Sequence, residues 1–456
     1  MALNQNMFRM YDIRGVWNDD LTEETAELIG KAFGTYIQNE KGIKDVIVGR
    51  DNRISSKPIR NAVINGLVST GCNVLDIGVL STPAFYYSRI LFNYDAGLMI
   101  TASHNPPQFN GFKVAFGPST IYGDELKKLY HIAEKGDFKT GTGSLKYAYP
   151  IQSYIKMIQD KVKLGNRKLK VVVDCGNGTC SNIYPDIIYG LGCEVYPLYC
   201  ESDPTFPNHF PDPVNADNLK DLIKEVKRLG ADVGIAFDGD GDRIGVVDEK
   251  GNIIWGDMLM VLYWREIMKK HPGADAIVEV KCSKALPEEI KKLGGNPIFY
   301  KTGHSLIKAK MKEINAVFTG EMSGHMFFAD EYYGYDDAAY AAARLLRILS
   351  NTDKTLSELL SDVPKYPSTP ELRLHCDDEK KFDVVKGVTE YFREKGYDLI
   401  DIDGARVMFD GGWGLVRASN TGPELIVRCE ADTEERLSEI KGELAEVLKK
   451  YGVELK

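Results

Sequence analysis

Residues 96–106 read AGLMITASHNP. Ala96 to Ile100 is a small and apolar run of buried-strand length, after which the chain turns polar at once. Pro106, Pro107 and the Asn110-Gly111 pair supply a stiff turn. A connector does not need Ser103 and His104 at the strand's end, which is where an α/β sheet presents binding and catalytic groups. Taken alone, the stretch is more commonly a polar turn that happens to contain a serine.

It does not stand alone. VGIAFDGDGDR at 233–243 and AVFTGEMSGH at 316–325 are also apolar strands ending in unusual polar loops. Each of the three closes a segment with the same order of parts. The first runs Val46-Ile47-Val48, the turn GRDNR, a helical stretch to Gly71, and Asn73-Val74-Leu75. The second runs Val171 to Val173, DCGNG, a stretch to Gly192, and Glu194-Val195-Tyr196. The third runs Ala276-Ile277-Val278, EVKCS, a stretch to Gly294-Gly295, and Pro297-Ile298-Phe299. Strands alternating with helices predict α/β layers on mainly parallel sheets, here as three similar domains. Expected limits are 1–148, 149–254 and 255–366. Residues 367–456 form a fourth, α+β domain, with strands around Glu371 to Leu374 and Ala405 to Phe409. Its last helix is expected to begin near Asp432, capped with Glu435, with Leu437, Ile440, Leu444 and Val447 on one face.

The bulk properties agree. A chain of 456 residues is too long for one core, and 43% hydrophobic with 27% charged residues is ordinary globular usage. A formal charge of −9 argues against a nucleic-acid partner. The eight cysteines show no C-x-x-C pair and no zinc spacing, as expected of buried thiols in a reducing compartment. The N-terminus lacks the regions of a signal peptide, and AAYAAARLLRIL is broken by Arg344 and Arg347. The expectation is a cytoplasmic protein with no membrane partner.

Each loop carries its own chemistry. Asp238, Asp240 and Asp242 alternate with glycines, so their carboxylates converge as hard ligands for a divalent cation. Glu249 even falls at the twelfth position of an EF-hand, but Arg243 stands where that loop needs glycine, and the flanks VGIAF and IGVVD are strands. Magnesium in phosphoryl transfer suits the pattern better. GEMSGH offers Glu321, Ser323 and His325, natural partners for sugar hydroxyls; the competing meaning is a helix N-cap on Ser323. RASNTGPE brings together Arg417, Ser419, Asn420 and Thr421 as a phosphate cradle, or forms an ordinary polar hairpin. FRMYDIRG adds Arg9, Tyr11 and Arg14, and KTGHSLIK adds Lys301, His304 and Lys308.

TASHNP, DGDGDR, GEMSGH and RASNTGPE occur in the order seen in the α-D-phosphohexomutase superfamily, and the chain resembles its phosphomannomutase/phosphoglucomutase branch over essentially its whole length. The resemblance implies a heart-shaped four-domain enzyme with a central cleft. It makes Ser103 the phosphoserine, which with Asp238, Asp240 and Asp242 holds one Mg²⁺. It gives Glu321 and Ser323, with His325 alongside, to sugar hydroxyls, and Arg417, Ser419, Asn420 and Thr421 to the phosphate that is not reacting. Lys113, Arg243, Lys281, His304, Arg9, Tyr11 and Arg14 match cleft positions used for charge neutralisation and proton handling, and His104, next to Ser103, is a further catalytic candidate. The implied reaction interconverts hexose 1-phosphates and 6-phosphates through a hexose 1,6-bisphosphate, with glucose 1,6-bisphosphate as activator. His325, His304 and Lys113 are unranked as general acid or base, and the choice of monomer or dimer is open. Met322 favours the mannose/glucose branch over phosphoglucosamine mutase; a metal-dependent sugar phosphatase is the more distant alternative.

Overall fold

In the computed structural model, which describes residues 3–117, 119–420 and 422–455, short buried strands and amphipathic helices alternate as their periodicity dictates. Packing divides the chain into two units. The first comprises the chain up to Glu266 together with Ser323–Ser361; the second comprises Ile267–Met322 and the chain from Asp362.

The first unit holds two sheets. One is seven-stranded, built from β1 (Ile13–Val16), β2 (Asp45–Arg50), β3 (Asn73–Val79), β4 (Ala96–Ile100), β5 (Phe109–Phe116), β6 (Ser119–Thr120) and β7 (Leu145–Tyr147). Its order is β1-β5-β4-β2-β3-β7, with β6 on β5. Strands β2, β3 and β4 are parallel, and β5 returns antiparallel beside β4 with Met99 opposite Lys113. All five residues of β4 are buried, which is why that stretch reads as an unbroken apolar run. The second sheet contains β8 (Lys170–Asp174), β9 (Glu194–Leu198), β10 (Val233–Phe237), β11 (Ile244–Asp248) and β12 (Ile253–Ile254), in the order β12-β11-β10-β8-β9. DGDGDR joins β10 to its antiparallel neighbour β11, so strands flank it as expected and the EF-hand is excluded. β16 (Met326–Phe328) and the helix Ala338–Ser350 also lie in this unit.

The second unit contains β13 (Asp275–Glu279) paired in parallel with β14 (Asn296–Tyr300), and β15 (Phe318–Gly320). Its other part is an antiparallel five-stranded sheet of β17 (Leu372–His375), β18 (Asp398–Ile400), β19 (Ala405–Phe409), β20 (Gly412–Ala418) and β21 (Glu424–Ala431). The order is β17-β21-β20-β19-β18. The helix Glu434–Lys450 packs Leu437, Ile440, Leu444 and Val447 into this core, as their spacing predicts. Its cap differs from the expectation. Thr433, not Asp432, has extended backbone and accepts the Arg436 N–H, because the helix begins one residue later.

The eight cysteines are free thiols, seven of them buried and Cys200 partly so. No helix among the described residues is long and apolar enough to cross a membrane.

Candidate active site

The serine loop and the carboxylate loop come from different sheets of the first unit and meet. Ser103 follows β4 with φ +50°, a left-handed backbone that costs a residue bearing a Cβ roughly 1–2 kcal/mol. Its N–H donates to Thr101 Oγ1, and its Oγ donates to Asp238 Oδ2 at 2.7 Å, with His104 Nδ1 at 3.2 Å. The other Asp238 oxygen accepts the N–H groups of Gly241, Asp242 and Arg243 at 3.0–3.1 Å, which folds DGDGDR around that carboxylate.

Asp240 Oδ2 accepts from Thr82 Oγ1 at 2.7 Å and from Lys113 Nζ at 2.9 Å, while Asp242 Oδ2 takes the same ammonium. The three aspartates are fully buried, and one oxygen from each lies within 4.8 Å of the others. Burial pushes the Asp238 carboxyl well above the usual range, and Asp242 and Asp240 add to it. That is the like-charge strain a divalent cation relieves. Asp240 Oδ1 and Asp242 Oδ1 are buried and accept no hydrogen bond among the described residues. Hard carboxylate oxygens without donors fit a divalent metal ion. Burial opposes the charge on Lys113, but Asp240 and Asp242 outweigh it and hold the ammonium's pKa well above its ordinary value. Burial and the Arg243 guanidinium keep His104 neutral.

His325 belongs to this cluster. Its Nε2 accepts from Arg243 Nε at 2.9 Å, which leaves the proton on Nδ1, 3.1 Å from Asp336 Oδ2 and 3.5 Å from Asp242 Oδ1. Arg14 joins the serine loop by donating from Nη1 to Asn105 Oδ1 at 2.8 Å. Arg9 and Tyr11 are half-buried in the segment before β1.

Apart from Ser323, the remaining expected residues lie in the second unit. Glu321 Oε1 accepts the Gly303 N–H at 2.6 Å, which sets it beside His304, the first residue of the helix His304–Ile314. Lys281, after β13, donates to Glu371 at 3.0 Å; Arg417, on β20, donates from Nε to Asp403 at 3.0 Å. Ser419 accepts the Gly422 N–H on its Oγ, Asn420 is half-buried beside it, and Thr421 lies outside the described residues. GEMSGH is divided: Glu321 belongs to the second unit, Ser323 and His325 to the first. It is a turn, so Ser323 is not a helix cap. Gly324 explains why: it takes φ +92° with its Cα against Ile244, where a Cβ would lie 2.3 Å from the carbonyl oxygen.

Sequence reading missed Arg53, Thr82 and Asp336 in the first unit. In the second it missed Glu279, which accepts the N–H groups of Lys281 and Met322, and Lys381, which donates to the Ser419 and Gly422 carbonyls at 2.6 and 2.9 Å. GRDNR and EVKCS were visible as strand-end loops, the one available signal for Arg53 and Glu279.

Comparison with known proteins identifies the family. Four family models, described as phosphoglucomutase/phosphomannomutase alpha/beta/alpha domains I, II and III and C-terminal domain, match residues 5–140, 152–251, 255–366 and 371–447. The phosphomannomutase/phosphoglucomutase of Pseudomonas aeruginosa is 46% identical over 440 residues, 96% of this chain and 95% of that protein. A phosphoglucomutase of Neisseria gonorrhoeae is 40% identical over 453 residues, 98% and 97% of the two chains. The crystal structure of a phosphoglucomutase/phosphomannomutase family protein from Burkholderia thailandensis matches with a TM-score of 0.91 at 40% identity over 98% of both chains. On these matches the chain belongs to the phosphoglucomutase/phosphomannomutase family and has its four-domain α/β architecture.

Proposed function

We propose that this enzyme, an isomerase by family, interconverts the 1-phosphates and 6-phosphates of glucose and mannose through phosphorylated Ser103. The observation that carries the reading is the 2.7 Å contact of Ser103 Oγ with Asp238, which puts a strand-end hydroxyl inside the carboxylate cluster. In this reading the domains run 1–148, 149–254, 255–366 and 367–456. Asp238, Asp240 and Asp242 would hold one Mg²⁺, with the phosphate on Ser103. The cation would supply charge neutralisation to the transferring phosphoryl group.

The residues divide the work. Phosphorylated Ser103 gives its phosphoryl group to the free hydroxyl of a hexose phosphate and takes back the other phosphate from the resulting 1,6-bisphosphate. Glucose 1,6-bisphosphate recharges an enzyme that has lost its phosphate. Asp238 Oδ2, to which the Ser103 hydroxyl already donates, receives its single proton when phosphate returns to the serine, and His104 Nδ1 lies at the same oxygen. Lys113 is a fixed cation, not a base, because its two carboxylate partners keep it protonated. Arg243 and Arg14 neutralise phosphate charge, and His325, fixed by Arg243 and Asp336, handles the sugar's proton. Glu321 and Ser323 read sugar hydroxyls, assisted by His304 and Lys281. Arg417, Ser419, Asn420 and Thr421 grip the unreacting phosphate, and Arg9 and Tyr11 contribute to substrate binding. Positioning and charge stabilisation then carry the catalysis.

The test is ³¹P NMR with Mg²⁺ and a trace of glucose 1,6-bisphosphate, offering glucose, mannose and glucosamine 1-phosphates separately. Fast conversion of the first two to 6-phosphates supports the reading. Preference for glucosamine 1-phosphate would move the enzyme to the phosphoglucosamine branch, and inorganic phosphate alone would overturn the mutase.

A further inference from the structure

Arg53 lies fifty positions from Ser103, in a turn that the reaction does not use, yet its guanidinium is buried beneath the serine loop. Sheet order brings them together. β2 and β4 are parallel neighbours with Arg50 opposite Ile100, so GRDNR and TASHNP leave the sheet side by side, and the Asp51 N–H donates to the Ile100 carbonyl. A guanidinium has five N–H donors in a fixed plane. Here all five are used. Nε donates to Asp51 Oδ2 at 3.1 Å, Nη1 to the carbonyls of Pro106 and Phe109 at 2.7 and 3.1 Å, and Nη2 to those of Ser103 and Asn105 at 2.7 and 2.6 Å. The Phe206 ring covers the cation with its centroid 5.3 Å away. Asp51, which holds Nε, is itself fixed by the Arg53 N–H and the Ser56 hydroxyl.

The Ser103 carbonyl is thereby caught on two sides. Arg53 Nη2 binds it, and Gly239 of the carboxylate loop approaches so closely that a Cβ there would come within 2.3 Å of the same oxygen. Ser103 also keeps the φ of +50° that an unrestrained serine avoids. A polar loop needs one or two backbone contacts for stability; one that must aim a phosphoryl donor needs its peptide fixed to a fraction of an ångström.

We infer that Arg53 is a positioning residue for the mutase reaction: its five-point fork holds the 103–109 loop in the strained conformation that aims Ser103 at the carboxylate cluster. This rests on Ser103 being the phosphoryl carrier. Arg53 touches neither sugar nor transferred phosphate, so its loss misaligns the donor without weakening recognition.

The experiment compares the parent enzyme, Arg53→Met and Arg53→Lys. Ser103 phosphate is read by peptide mass spectrometry after incubation with Mg²⁺ and glucose 1,6-bisphosphate, kcat and KM for glucose 1-phosphate by coupled assay, and folding by circular dichroism and thermal melting. The parent should carry phosphate on Ser103. Arg53→Lys keeps a buried cation but not the fork, and should fold, lose at least tenfold in kcat and keep KM within threefold. Arg53→Met should lose at least a hundredfold in kcat and regain part of it with millimolar methylguanidine. If Arg53→Met does not fold, Arg53→Lys decides. A phosphorylated parent with Arg53→Lys at parental kcat, even if melting earlier, would make Arg53 structural only and overturn the inference alone. A rise in KM without loss of kcat would overturn it too. A parent never phosphorylated on Ser103 would remove the carrier reading and this inference with it.

Discussion

Ser103 Oγ and Asp238 Oδ2 share a 2.7 Å hydrogen bond across 135 positions of chain, one residue following β4 and the other β10. A neutral serine is a weak nucleophile, whereas a phosphoserine beside a carboxylate-bound cation is a phosphoryl donor. Ser103→Ala should therefore lose at least about a thousandfold in kcat/KM while melting within a few degrees of the parent. Steady-state kinetics beside a melting curve checks both.

Metal removal separates the second partner. Among the described residues Asp240 Oδ1 and Asp242 Oδ1 accept no hydrogen bond, and both Oδ2 atoms are occupied by Lys113. Chelation with EDTA should abolish turnover and added Mg²⁺ should restore it. Asp240→Asn and Asp242→Asn should each weaken Mg²⁺ at least about tenfold, equivalent to about 1.4 kcal/mol. Activity against free Mg²⁺ measures this, and unchanged half-saturation in both variants would place the cation elsewhere.

The Lys281–Glu371 pair predicts an acid-dependent stability. Lys281 holds the Glu371 carboxyl down to about 2, against 4.5 for an ordinary glutamate. As pH falls the unfolded chain takes up this proton first, so the pair's contribution is complete above about pH 5 and is lost between there and about pH 2. Compared with Glu371→Gln, the parent should be more stable by about 2 kcal/mol at pH 7 once partial exposure is allowed for. The difference should shrink steadily below pH 5. Urea unfolding of both proteins from pH 3 to 7 tests the sign; a difference that grows on acidification would refute it.

Lys381 is buried and donates to the Ser419 and Gly422 carbonyls, as well as to Asp378 at 2.6 Å. It shapes the proposed phosphate cradle without reaching the reacting atoms. Lys381→Met should raise KM about tenfold with kcat nearly unchanged, the mark of lost uniform binding. A fall in kcat at constant KM would mean that the loop acts in the chemical step.

The groups legible in the sequence are those whose chemistry is stated by their own side chains. A serine, alternating aspartates, a glutamate and an arginine among hydroxyls together suggest a ligand, and strands β4, β10, β15 and β20 carry them at or near their ends. Arg53 and Lys381 were invisible for a physical reason. They act on backbone carbonyls, which every residue has, so no pairing of residue types marks them. Finding Arg53 requires knowing that β2 and β4 are neighbours, a fact of sheet order and not of spacing. Thr433 lost its place to Asp432 because both are good caps and only the backbone at the helix start distinguishes them. The three residues of GEMSGH read as one set, yet the packing assigns Glu321 to one unit and Ser323 and His325 to the other.

The most direct measurement follows a labelled phosphate. The enzyme is incubated with Mg²⁺ and ³²P-labelled glucose 1,6-bisphosphate, isolated and digested, and a second portion is mixed with unlabelled mannose 1-phosphate. One label per chain on the peptide containing Ser103, chased into mannose 1,6-bisphosphate and mannose 6-phosphate, is the expected result. Label on another residue, or released only as inorganic phosphate, would contradict Ser103 as the phosphoryl carrier.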